Sequence, residues 1–169
     1  MTQVGKAGNL PSSDIASLPS NTGMRSRYFH IRTSKFPILP GESEEIVNPH
    51  TYGKAFAEYL QAGLVARKWK IPFVFCEDWG WWVEIRLKDT SIGLLCVRAS
   101  EKPGEADCIC ITSHDSATDK KWSWRRFRMV DIGQELRALV PDLEALFKED
   151  PDIIYLGNQD EIPKIRGWR

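Results

Sequence analysis

The sequence has no apolar run long enough to cross a bilayer as a helix, which takes about 18 or more residues. It has no excess of charge either, since 23 Lys and Arg are matched by 23 Asp and Glu. A balanced chain sets up no overall field for nucleic acid or an anionic membrane, so only a local patch can attract one. The first residues lack the continuous apolar core of an export signal, which points to the cytoplasm. Cysteines number only four, and without such a signal they are expected as reduced thiols. There is no G-x-S-x-G elbow, no phosphate-binding glycine loop, and no RNP, KH or zinc-finger spacing.

What is present describes one globular domain. The chain has 169 residues, 42% apolar and 27% charged, enough to bury a core without disulfide or metal staples. Residues 1–23 are rich in Gly, Ser, Pro and Asn and lack apolar periodicity, so they are expected as a disordered leader. The folded domain is expected over residues 24–169. Cys76, Cys96, Cys108 and Cys110 each fall in an apolar run with strand character. A C-x-C pair on a flat strand does not wrap a tetrahedral ion, so buried thiols are expected, with no metal and no cofactor.

Tyr28–Thr33 reads as a first strand. Asn48 as N-cap, Pro49 at the first helical position and Val47 stapled onto Tyr52 predict a helix to about Lys68, with Phe56, Tyr59, Leu60 and Leu64 on its apolar stripe. A hairpin follows. Asp78-Trp79-Gly80 reads as a three-residue loop, which pairs Phe75 with Val83, Phe73 with Ile85 and Ile71 with Leu87 on a buried face. The other face then pairs Cys76 with Trp82, Val74 with Glu84 and Pro72 with Arg86. Ile92, Leu94 and Cys96 return on the buried face. Asp107–Ser113 and Trp122–Met129 are expected as further strands, and Asp152–Leu156 as a last short one. A second helix begins at a capping box of Asp131 and Gln134, with a kink expected at Pro141. The pattern predicts an α+β fold in two layers: an antiparallel sheet of five to six strands with two main helices on one face.

The function of such a fold rests on its second sheet face. The strand assignments place Trp82, Glu84 and Arg86 there, with Trp122, Trp124, Arg126 and Arg128 alternating beside them. A solvated sheet face is ordinarily plainly polar, whereas this one mixes Trp and Arg, the residues that dominate interface hot spots. The alternative is that residues 152–169 fold back over it. Asp78 and Trp79 add an exposed aromatic-acidic turn. Glu77 and Asp78 beside three tryptophans have the composition of a carbohydrate site, but neighbouring carboxylates on a hairpin tip diverge, and Asp-x-Gly is plain turn chemistry.

Residues 120–128 carry five positive charges interleaved with aromatics, the mixture that phosphate contact plus base stacking requires. Single-stranded nucleic-acid binding through this strand is therefore a second reading. A third is an enzyme with a pocket that no motif marks, for which Cys76, Glu77 and His114 are the reactive groups at hand. The letters Ser113-His114-Asp115-Ser116 are adjacent in sequence, whereas triads assemble from distant segments.

The residues Tyr28-Phe29-His30-Ile31-Arg32-Thr33, Asn48-Pro49 with Tyr52-Gly53-Lys54-Ala55, and Glu77-Asp78-Trp79-Gly80-Trp81-Trp82 carry a resemblance. The run from Tyr28 through Leu87 resembles small uncharacterised bacterial single-domain proteins and some immunity proteins that neutralise toxins. That resemblance implies a compact α+β domain acting on another protein, and transfers no catalytic residue. The basic run at 120–128 departs from the acidic surface of nuclease inhibitors. The expectation is a non-enzymatic cytoplasmic protein-interaction module with another protein as partner and no membrane.

Overall fold

The computed structural model describes residues 28–114 and 118–164; the expected leader of residues 1–23, together with Asp115, Ser116 and Trp168, lies outside them. In chain order the elements are β1 (Tyr28–Thr33), α1 (Glu42–Glu45), α2 (Lys54–Ala66), β2 (Val74–Glu77), β3 (Gly80–Arg86), β4 (Ser91–Arg98), β5 (Ala106–Thr112), β6 (Lys120–Ser123), β7 (Arg128–Asp131), α3 (Gly133–Glu149) and β8 (Ile154–Gln159). Six strands form one antiparallel sheet in the order β2-β3-β4-β5-β1-β8, and β6 and β7 form a separate two-stranded sheet. The fold is α+β in two layers, as the pattern predicts.

Alternation builds the core. Phe29 and Ile31 of β1, Val83 and Ile85 of β3, Leu94 of β4 and Cys108 and Cys110 of β5 all point to one face. Phe56, Leu60 and Leu64 of α2 and Leu139, Leu143 and Phe147 of α3 pack on that face and are fully buried with it. Each large apolar side chain so buried contributes about 1.5–3 kcal/mol. α3 runs through Pro141 without a break. An internal proline costs about 3 kcal/mol in helix propensity, and the apolar residues buried on both sides of it outweigh that.

The first long helix starts later than its local signals predict. Asn48 and Pro49 lie in a loop, where the Asn48 side-chain amide donates to the Asp78 carbonyl at 2.7 Å and His50 has φ 72°. The helix begins at Lys54, and its cap comes from a distant residue. Glu42, fully buried in the short α1, accepts from the Gly53 and Lys54 amides through Oε1, both at 2.8 Å. Its Oε2 accepts from the Leu39 amide at 2.9 Å. A carboxylate at a helix N-terminus satisfies orphan donors and meets the positive end of the dipole. At α3 the capping box is also absent. Asp131 Oδ1 accepts from the Gly133 amide at 2.8 Å, with Ile132 at the N-cap position.

The β2–β3 register differs by one residue from the expected one. The turn is Asp78-Trp79 alone, and Gly80 is already in β3 with φ 146°. The pairs are Val74–Val83, Phe75–Trp82, Cys76–Trp81 and Glu77–Gly80. A one-residue slip moves every side chain of the strand to the other face. Val74 and Cys76 therefore pack against the helix-side core, while Phe73 and Phe75 stand 56% and 40% exposed on the opposite face. Gly80 sets this turn, because a Cβ there would lie 2.8 Å from the Cys96 carbonyl oxygen.

The expected strand Trp122–Met129 is a hairpin instead. β6 ends at Ser123, residues 124–127 turn, and β7 starts at Arg128. The Ser123 hydroxyl, fully buried, accepts from the Arg126 amide at 3.2 Å and so folds the chain back. The last strand forms at Ile154–Gln159 and pairs with β1 as an edge strand, so these residues extend the sheet and do not lie over its face.

Candidate functional site

The expected single face of Trp and Arg is divided into three places. Trp82, Glu84 and Arg86 do share the sheet face opposite the helices, in register with Leu95, Gly93 and Ser91 of β4. Across that face Phe75, Trp82, Leu95, Ile111 and Tyr28 form one apolar row through successive strand pairs. The Trp82 ring lies flat on Gly93, where any Cβ would meet ring carbons 1.7 Å away, and its indole N–H donates to Glu84 Oε2 at 3.2 Å. Val97, Ile109 and Tyr28 on this face are buried, so its exposed apolar surface lies at the two edges, at Phe73 and Phe75 on one side and at Ile154 and Leu156 of β8 on the other.

Asp78 and Trp79 lie at one end of β3, with Trp79 76% exposed. The β6–β7 hairpin lies at the other end, roughly 20 Å away for a strand of this length. Here Ser123 Oγ donates to the Asp89 carbonyl, Thr90 Oγ1 donates to the Trp122 carbonyl at 2.9 Å, and Arg126 Nε pairs with Asp89 Oδ1 at 2.8 Å. The turn end of the hairpin is thus pinned to the β3–β4 turn by both backbone and charge.

Its tip is bare. Trp124 and Phe127 are 78% and 76% exposed, and Trp122 and Met129 extend the apolar surface down both strands. The two indoles meet edge to face with ring centroids 5.9 Å apart. Such a pair stiffens the surface by about 0.5–1.5 kcal/mol beyond burial. Phe127 has φ 49°, a left-handed conformation uncommon for an aromatic residue. Arg126 is bound internally, whereas Arg125 and Arg128 make no ion pair among the described residues and are exposed. Phe127, Met129 and Asp89 belong to this site but carry no sequence signal for it. A turn built by a serine hydroxyl and a left-handed Phe contains neither Gly nor Pro.

The reactive groups of the enzyme reading are scattered. Cys76 and Glu77 are on the edge strand β2, and His114 follows β5, with β3 and β4 between them. His114 is buried, its Nδ1 2.8 Å from Thr112 Oγ1. Cys96 faces Cys110 across β4 and β5, and burial raises its thiol well above the usual range. Burial likewise pushes the Cys108 thiol up to about 12. Among the described residues no group of three or more His, Cys, Asp and Glu could hold a metal ion. A shallow cavity of about 300 Å³ lies against Val47, His50, Tyr52 and Glu101, and none of the expected site residues lines it. No helix among the described residues is long and apolar enough to cross a membrane. No family model, no curated protein and no solved structure matches this chain.

Proposed function

We propose that this chain is a protein-interaction module whose contact surface is the β6–β7 hairpin. The observation that carries this reading is the exposure of Trp124 and Phe127 in a turn that is itself pinned to the β3–β4 turn. Exposing two large aromatics costs solubility unless a partner covers them, and a pinned turn means little ordering is lost on binding. Trp and Arg together are the composition of a hot spot. Arg125 and Arg128 flank the aromatics and make no ion pair among the described residues, so the complementary surface is an apolar groove rimmed by carboxylates. The toxin-neutralising role implied by the resemblance of residues 28–87 is one instance of this reading.

The second reading, single-stranded nucleic-acid binding, draws on the same aromatics and arginines. Two measurements separate them. Full-length chain and a W124A/F127A variant are used as baits in lysate of the native host, after circular dichroism has shown equal folding. A stoichiometric protein retained by the wild type and lost by the variant is expected. Labelled oligo-dT titrated at several salt concentrations is expected to show no binding with a steep salt slope; such a slope would move nucleic acid to the front.

A further inference from the structure

On the sheet face opposite the helices, the end of β5 and the middle of β6 bring together two side chains that the hairpin surface does not use. Lys121 Nζ donates to Ser113 Oγ at 3.1 Å and to the Ser113 carbonyl oxygen at 3.3 Å. Ser113 is itself fixed. Its amide donates to the Gly93 carbonyl at 2.8 Å, and its Oγ accepts from the Gly93 amide at 2.8 Å. Lys121 is partly buried and pairs with no carboxylate among the described residues. The two oxygens of one serine are its hydrogen-bond partners there.

We propose that Ser113 and Lys121 form a nucleophile–base dyad for acyl transfer from small carboxylic esters. As an ammonium Lys121 donates to both serine oxygens; once the amine is neutral, one N–H keeps the Ser113 carbonyl and the lone pair, at the same 3.1 Å approach, accepts the Ser113 hydroxyl proton. Burial shifts the Lys121 amine towards this neutral form, and the charge of Glu84 on β3 opposes the shift only in part. The approach is apolar, because Trp82, Leu95 and Ile111 form the neighbouring row of this face and are half-buried. In the reaction Ser113 Oγ bonds to the acyl carbon while its proton passes to Lys121 Nζ. The alkoxide leaves with that proton, giving the acyl-serine and the alcohol. Water then attacks the acyl-serine, yields its proton through Lys121, and releases the acid and the serine.

The test uses diisopropyl fluorophosphate on the full chain between pH 6 and 9, with peptide mapping by mass spectrometry. Attack of Ser113 on phosphorus expels fluoride, and the adduct is expected on Ser113, with none in S113A. K121R keeps the N–H donors but supplies no base, so adduct formation is expected to fall about a hundredfold with the melting temperature unchanged. If K121R does not fold, the wild-type rate is expected to level off below the pH at which exposed lysines titrate. No adduct on Ser113, equal labelling of a folded K121R, or a rate that follows hydroxide throughout the range would each overturn the proposal.

Discussion

Arg126 Nε sits 2.8 Å from Asp89 Oδ1, so one of the three arginines in residues 125–128 is bound to the protein's own β3–β4 turn. The pair ties a side chain of the projecting hairpin to the main sheet, and the other two arginines remain available. Asp89 is 19% exposed and Arg126 41%, so the attraction is screened on one side only.

R126A should therefore loosen the hairpin without unfolding the domain. The expected stability loss is about 0.5–1 kcal/mol. A double-mutant cycle with D89N should return most of that as coupling, and amide exchange should rise in residues 120–131 alone. Exchange that rises equally in β4 would show that the pair holds the whole sheet.

Phe127 holds a backbone conformation that glycine adopts freely. F127G is expected to keep the folded state within about 1 kcal/mol of wild type or to raise its stability, since relief of left-handed strain offsets the lost chain stiffness. The same change removes one of the two exposed aromatics of the hairpin turn and is expected to weaken partner capture. Urea denaturation and the bait experiment read the two effects separately. A large loss of stability would mark Phe127 as a structural residue.

Glu42 is the keystone of the α2 start. E42A leaves three amides without their acceptor and is expected to cost about 3 kcal/mol, whereas E42Q keeps an acceptor oxygen and costs less. Restoring a local cap at position 53 with G53D is not expected to rescue it, because a Cβ there meets the Cys96 carbonyl oxygen at 2.7 Å. Melting temperatures of the three variants check this order.

Acid should weaken the junction of β1 and β5. Burial pushes the Asp107 carboxyl up, but the Arg32 hydrogen bond and charge, with His30 beside them, outweigh burial and hold it below its usual value. A carboxylate so lowered stabilises the fold above the unfolded value near 4 and loses that contribution as pH falls through its folded value. D107N is expected to be less stable than wild type at pH 6, by under about 1 kcal/mol because Arg32 is 44% exposed, and equal to it near pH 2. A difference that persists unchanged at pH 2 would rule out the charge as its source.

The two layers are legible in the residue pattern alone. Alternation in 81–85 and 92–96 and the helical stripe in 136–147 each name their buried face, because side-chain direction follows from local geometry and solvent takes the other side. Long-range contacts override that pattern wherever a distant atom competes with a local signal. Asn48 and Pro49 have the chemistry of a helix start, yet the buried carboxylate of Glu42 starts the helix at Lys54. Phe73 and Phe75 read as core. The two-residue turn ahead of Gly80 sends them outward, because Gly80 sits too close to the Cys96 carbonyl to tolerate a side chain. Residues 122–129 alternate like a strand, but the buried Ser123 hydroxyl and a left-handed Phe127 turn them back, and the anchors at Asp89 and Thr90 belong to another part of the chain. Local pattern sets the face of an element, whereas turn register and the contacts of a projecting hairpin depend on atoms far away in sequence, which no window of residues contains.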